Sequence, residues 1–119
     1  MFIKALKSKI HKATVTDTRL DYPGSIAVDS ELMAAVGILP YEAVLLADLT
    51  NGSRCETYIV PAGPGSGKVT VMGAAARIIN PKDVIIIMNF GYYSADELAE
   101  LKPKTIVLDE KNKIKKHIS

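Results

Sequence analysis

Tryptophan is missing from this 119-residue chain, and cysteine occurs once, as Cys55. One cysteine excludes an intramolecular disulfide, and Cys55 with only His11 and His117 cannot complete a structural zinc site, so no metal is expected. Aromatic residues are also few, five tyrosines and two phenylalanines, which weakens any case for base-stacking platforms. Neither charge dominates: 15 Lys and Arg against 13 Asp and Glu give a net charge of +2, with both signs interspersed apart from a basic run over 111–116. No long basic face is available, so nucleic acid is not an expected partner. Long apolar runs are absent too. The longest, residues 84–88, is far too short to cross a bilayer, and the first nine residues, Met-Phe-Ile-Lys-Ala-Leu-Lys-Ser-Lys, lack the apolar stretch of a signal peptide. The expectation is a cytoplasmic protein with no membrane partner.

What the chain does have is apolar content, 48% hydrophobic residues, enough for one compact core and a single domain spanning 1–119. Most of it reads as short strands. Residues 9–16 alternate as Lys-Ile-His-Lys-Ala-Thr-Val-Thr, and 25–28 follow a tight Pro-Gly. Asp29 or Ser30 can cap a short helix through Val36, with Gly37 as its stop. Strands at 43–49 and 54–60 flank Asn51-Gly52, a hairpin-turn dipeptide. Further strands fall at 68–72 and 84–90, the second nearly all apolar and expected to be central. A short helical turn is expected over 73–79. Ser94-Ala95-Asp96-Glu97 matches a capping box for a helix through about Leu101; a last strand at 105–108 precedes a tail expected to fray. Six or seven short strands with two short helices predict a closed β-barrel, because closure removes exposed edges.

Gly63-Pro64-Gly65-Ser66-Gly67-Lys68-Val69 looks at first like a phosphate-binding loop. Its glycines are too closely spaced, and Val69 stands where a magnesium-binding hydroxyl belongs, so a flexible hairpin loop is expected. Tyr22-Pro23-Gly24-Ser25 reads blandly as a type II turn, with Pro23 fixing φ and Gly24 supplying a positive φ. Its sharper reading is chemical: a serine hydroxyl can attack the preceding carbonyl carbon through a five-membered ring, and glycine permits the geometry required. Arg54 and Tyr58 fall on one pleat face of their strand and Thr57 on the other; Lys9 and His11 share a face of theirs.

Nearly the whole chain resembles the pyruvoyl-dependent aspartate α-decarboxylases. The resemblance is carried by Lys9-Ile10-His11-Lys12-Ala13-Thr14-Val15-Thr16, Leu20-Asp21-Tyr22-Pro23-Gly24-Ser25-Ile26, Gly37-Ile38-Leu39-Pro40, Thr50-Asn51-Gly52-Ser53-Arg54 with Thr57-Tyr58, the 63–67 glycines, Gly73-Ala74-Ala75-Ala76-Arg77 and Asp83. It implies a mainly-β fold, a double-psi β-barrel with short helices, assembled as a homotetramer with active sites between subunits. It also implies self-cleavage at Gly24-Ser25 into fragments 1–24 and 25–119, with Ser25 converted to a pyruvoyl group and neither metal nor pyridoxal phosphate required. A maturation factor is an allowed further partner.

The implied reaction turns L-aspartate into β-alanine and carbon dioxide for pantothenate synthesis. A ketone beside an amide carbonyl condenses with the substrate amine and takes up the electrons released as the α-carboxylate leaves. The resemblance gives Ser25 as the covalent centre and Tyr58 as general acid. It gives Lys9, Arg54, Thr57, Gly73, Ala74 and Ala75 as substrate contacts, with His11, Tyr22 and Met72 as further candidates. Thr57 is also a candidate for polarising the Gly24 carbonyl during cleavage. Met72 departs from the pattern, since the family usually carries Asn there, and Pro23 before the cleaved bond is uncommon. The alternatives are a family member with weak activity because of Met72, and a non-enzymatic β-barrel binding module.

Overall fold

The computed structural model describes residues 1–118. Its elements run β1 (Ile3–Thr14), β2 (Asp17–Arg19), β3 (Ser25–Asp29), α1 (Ser30–Val36), β4 (Ala43–Asp48), β5 (Arg54–Ala62), β6 (Val69–Met72), a 3-10 turn (Gly73–Arg77), β7 (Val84–Tyr93), α2 (Ala95–Glu100), β8 (Lys104–Leu108) and β9 (Ile114–Ile118). The strands are ordered β2-β6-β3-β5-β4-β7-β1-β8-β9. Only Val15 and Thr16 separate β1 from β2, and their N–H groups donate to Asp83 O at 2.9 Å and Val69 O at 2.8 Å. The two places in the order held by β1 and β2 are thus one stretch of chain, and the sheet closes on itself as a barrel. Two parallel pairs, β2 with β6 and β3 with β5, are held together by antiparallel β3–β6, giving the crossed connections of the expected double-psi arrangement.

The core follows from the period-2 alternation of these strands. Ile10, Ile26, Leu46, Ile59, Ile85 and Ile87 have no exposed surface, and each buried aliphatic side chain contributes about 1.5–3 kcal/mol relative to exposure. Strand β7 is central, between β1 and β4, as its apolar run predicts. Only one of its faces is buried: Ile85, Ile87 and Asn89 point inward while Ile86, Met88 and Phe90 are half-exposed on the outer surface.

Local signals for the helices are realised closely. Asp29 caps α1 and Gly37 ends it with φ 71°; Ser94 and Glu97 form the reciprocal capping box of α2. Four expectations are corrected. There are nine strands among the described residues, because a short strand β2 follows the first expected strand, 9–16, which is realised as β1 from Ile3 to Thr14, and because the tail is not frayed. Residues 114–118 form β9, antiparallel to β8. Its approach is pinned by buried Asn112, whose side chain accepts from Thr14 N and donates to the carbonyls of Thr14 and Gly67. The 63–67 loop is not a hairpin, since β3 lies between β5 and β6 and pairs with both. Gly24 does not take a positive φ, so the type II turn is absent.

The glycine loop has an internal anion instead of a phosphate. Asp29, 3% exposed, accepts from Glu31 N at 2.9 Å, Gly65 N at 3.0 Å and Gly67 N at 2.9 Å. Burial pushes its carboxyl up, but the three backbone donors, with Lys113 nearby, outweigh it and hold the pKa below the ordinary value. A depressed folded pKa contributes stability above the unfolded carboxylate value, lost as pH falls through the folded one. Asp29→Asn should therefore cost about 1–3 kcal/mol at pH 7, as an amide cannot accept from all three donors. Thermal melts should show that deficit shrinking as pH is lowered below about 4; a deficit independent of pH would remove the carboxylate from this role.

Candidate active site at Gly24 and Ser25

Ser25 opens β3 and is 5% exposed, paired across the sheet with Met72 of β6. The preceding 20–24 segment is exposed, so a rigid strand begins at the residue whose hydroxyl would act. Gly73 follows Met72 with φ 78°. It packs so closely on the segment that a Cβ at Gly73 would lie 2.6 Å from Gly24 Cα, 2.9 Å from Gly24 N and 3.0 Å from Tyr22 O. Glycine is needed at 73 because the two backbones touch there and because the left-handed φ suits it, whereas a Cβ at Gly24 would come no nearer than 4.0 Å to Met72 O.

Beside this contact is a cavity of about 370 Å³ lined by Gly24, Thr57, Met72, Ala74, Ala75 and Ile78, together with Cys55 and Glu56. The structure thus brings Gly24, Thr57, Met72, Ala74 and Ala75 together, with Ser25 and Gly73 adjoining them. Met72 also borders a second cavity of about 300 Å³ with Asp17, Arg19, Tyr22, Lys68 and Thr70. Its side chain, 9% exposed, stands as the wall between the two rather than in the barrel core. Tyr22 is 52% exposed with the Arg19 guanidinium 5.8 Å above its ring centroid. Burial pushes the Cys55 thiol pKa up, so the one cysteine at the cavity stays protonated at neutral pH.

Other candidates lie elsewhere. β5 pairs with β4 in unbroken register, Ala43 opposite Tyr58 through Ala47 opposite Arg54, so Arg54 and Tyr58 share the outer face while Thr57 faces the cavity, as alternation predicts. Lys9 sits on β1 opposite Met88, which continues through Leu45 to Glu56 on β5. Two strands, β7 and β4, therefore separate Lys9 from the strand of Arg54, a span of about 14 Å at ordinary strand spacing. His11 is half-buried near Lys9; burial, then the charges of Lys9 and Lys12, lower its pKa and keep the ring neutral at pH 7. A further cavity of about 410 Å³ lies on this outer face between Lys4, Ala43, Leu45, Glu56, Phe90 and Tyr92, and holds none of the predicted residues.

One neighbour was not legible in the sequence: Tyr41, whose ring stands 6.3 Å from that of Tyr58 at 33°. Tyr41 takes φ 73° and its N–H donates to Ile59 O at 2.7 Å. A tyrosine after Pro40 gives no sign of that conformation.

Comparison with known proteins gives the class first: the barrel is an enzyme, a decarboxylase, which sets aside the reading as a non-enzymatic binding module. The profile of the aspartate decarboxylases matches residues 1–115. The chain belongs to that family. It is 48% identical over 114 residues to the aspartate 1-decarboxylase of Acetivibrio thermocellus, covering 96% of this chain and 90% of that relative. It is 49% identical over 114 residues to that of Listeria monocytogenes, with the same coverage of each chain. Against that of Thermosipho africanus it is 50% identical over 109 residues, covering 92% of this chain and 89% of the relative. No helix among the described residues is long and apolar enough to cross a membrane.

Proposed function

We propose that this enzyme decarboxylates L-aspartate to β-alanine and carbon dioxide for pantothenate synthesis, in the cytoplasm, after cutting itself between Gly24 and Ser25. The observation that carries the reading is the clasp of Gly24 by Gly73 beside a small cavity, with Ser25 fixed at the head of a buried strand. A serine so held has its hydroxyl tied to a defined position relative to the Gly24 carbonyl carbon. Attack there makes an ester; elimination frees the Gly24 carboxylate; addition of water then releases ammonia and leaves a pyruvoyl group at residue 25. Thr57 lines the same cavity as Gly24, which supports a role for its hydroxyl as donor to the Gly24 carbonyl as charge develops on that oxygen.

The pyruvoyl group supplies a ketone that accepts the electrons of the breaking carbon–carbon bond. The chain's own residues do the rest. Arg54 holds a substrate carboxylate through its planar fork of donors, with Lys9 adding positive charge. Ala74 and Ala75 leave their backbone accessible to the substrate, and Tyr58 returns a proton to the substrate carbon. No single protomer supplies this set, because Arg54 and Tyr58 face away from the Gly24 cavity and Lys9 is two strands removed. A homotetramer with sites between subunits accounts for this, and the half-exposed band Leu45, Ile86, Met88 and Phe90 is the kind of surface a second copy covers.

A second reading rests on Met72. It places a thioether, which accepts hydrogen bonds only weakly, in the cavity wall where the resemblance has an amide, and so favours slower processing or turnover. The first reading is tested by Tyr58→Phe, and the second by Met72→Asn, which should speed self-cleavage or decarboxylation if Met72 lines the site. The Tyr58→Phe variant should still be cut, since cleavage needs no phenol, while carbon dioxide release from aspartate falls by about a hundredfold or more. Near-normal release would remove Tyr58 as the acid; an uncut variant would tie the phenol to processing.

A further inference from the structure

Asp48, at the end of β4, and Asp83, just before β7, are carboxyls that the proposed chemistry does not use, and they are 2% and 8% exposed. Asp48 Oδ1 accepts from Thr50 N at 2.8 Å, but its Oδ2 is buried with no partner while the group is ionised. The carboxyl beside it is that of Asp83: Asp48 pairs with Ile85 across β4 and β7, and Asp83 Oδ2 accepts from Asn80 N at 2.9 Å. A proton on Asp48 Oδ2 would convert the orphaned atom into a donor to Asp83. Around the pair, Asn51 Nδ2 donates to Ile78 O at 2.9 Å and Leu49 N to Val84 O at 2.8 Å. The 49–53 turn and the 78–84 segment are therefore laced together at this point.

The geometry points to a proton shared between Asp48 and Asp83 that fastens the 49–53 turn, and with it Arg54, to the segment following Gly73–Arg77 of the candidate site. Asp48 and Asp83 are then positioning residues, acting through Arg54 and never touching substrate; that consequence rests on the carboxylate-binding role proposed for Arg54. The backbone N–H groups of Thr50 and Asn51 face Asp48 from its own turn. Arg54, Arg77, Lys82 and, on β1, Lys12 are the nearby basic residues in the chain and are all exposed. No Lys, Arg or His among the described residues pairs with either carboxyl. Burial, followed by the hydrogen bond and charge of Asp83, pushes the Asp48 carboxyl above its ordinary value. With a raised folded pKa, the stabilisation is complete below the ordinary carboxylate value and is lost as pH rises through the folded one.

Asp48→Asn in the full chain keeps the bond from Thr50 N and offers Asp83 a permanent N–H donor. Melting temperatures of wild type and variant should coincide near pH 4 and diverge as pH rises, the variant ending at least about 3 °C higher. Carbon-13 NMR of the aspartate carboxyls should show one titrating well above the ordinary range in the wild type and missing from the variant. Superimposable melting curves, or a variant less stable at every pH, would overturn the shared proton. The Michaelis constant for aspartate should rise with pH in the wild type and stay level in Asp48→Asn. A constant that moves alike in both proteins overturns the positioning of Arg54. Failure of both proteins to turn over aspartate would instead defeat the proposed function, with melting and NMR still deciding the pair.

Discussion

Ser25→Ala should yield one uncut chain of full mass that releases no carbon dioxide from aspartate. The substitution removes a single oxygen and keeps the Cβ, and Ser25 pairs with Met72 through backbone groups, so the barrel should melt within about 1 °C to a few degrees of the wild type. Two functions go together with that oxygen. It is the only nucleophile attached to the residue after Gly24, and it leaves as part of the ester to open the route to the ketone. Loss of activity should thus be complete rather than partial, unlike removal of one hydrogen bond, which costs about ten- to a hundredfold. Measurable carbon dioxide release by the variant would mean that the electron acceptor is made elsewhere.

Gly73→Ala should have nearly as large an effect by a purely steric route. The added methyl would meet Gly24 Cα at 2.6 Å and Gly24 N at 2.9 Å, backbone atoms that cannot swing aside as a side-chain tip could. Alanine must in addition hold φ near 78°, a conformation costing an L-residue about 1–2 kcal/mol. The 20–24 segment is exposed and able to yield, whereas β6 is buried at all four positions. The expected outcome is a folded barrel in which Gly24 is pushed away from its reactive position. Displacement by about 1 Å costs around a hundredfold in an intramolecular reaction, so cleavage should slow by at least that factor. Cleavage at the wild-type rate, followed by denaturing gel over time, would show that the clasp does not set the geometry.

Elements governed by neighbouring residues were readable in advance. The Asp29 cap, the Gly37 stop and the Ser94–Glu97 capping box each act within one helical turn, and each occurs where the residues place it. The hairpin between β4 and β5 was equally local, with Gly52 at φ 77°. What escaped depends on partners far apart in sequence. Strand β9 is held through Asn112, which bonds residues 98 and 45 positions away. The 63–67 loop was expected to be a flexible hairpin because nothing in its composition reveals that Asp29, on another strand, takes up its N–H groups. At the site, alternation correctly set Thr57 on the opposite face from Arg54 and Tyr58. It carried no information on the close approach of Gly73 to Gly24, two residues far apart in sequence.

The central claim is tested most directly by mass spectrometry of the purified protein under denaturing conditions. The account predicts two species, one matching residues 1–24 with a free carboxylate and one matching residues 25–119 but lighter than a serine-started chain by one ammonia. A single species of intact mass, or a larger fragment that begins with an unmodified serine, would contradict it.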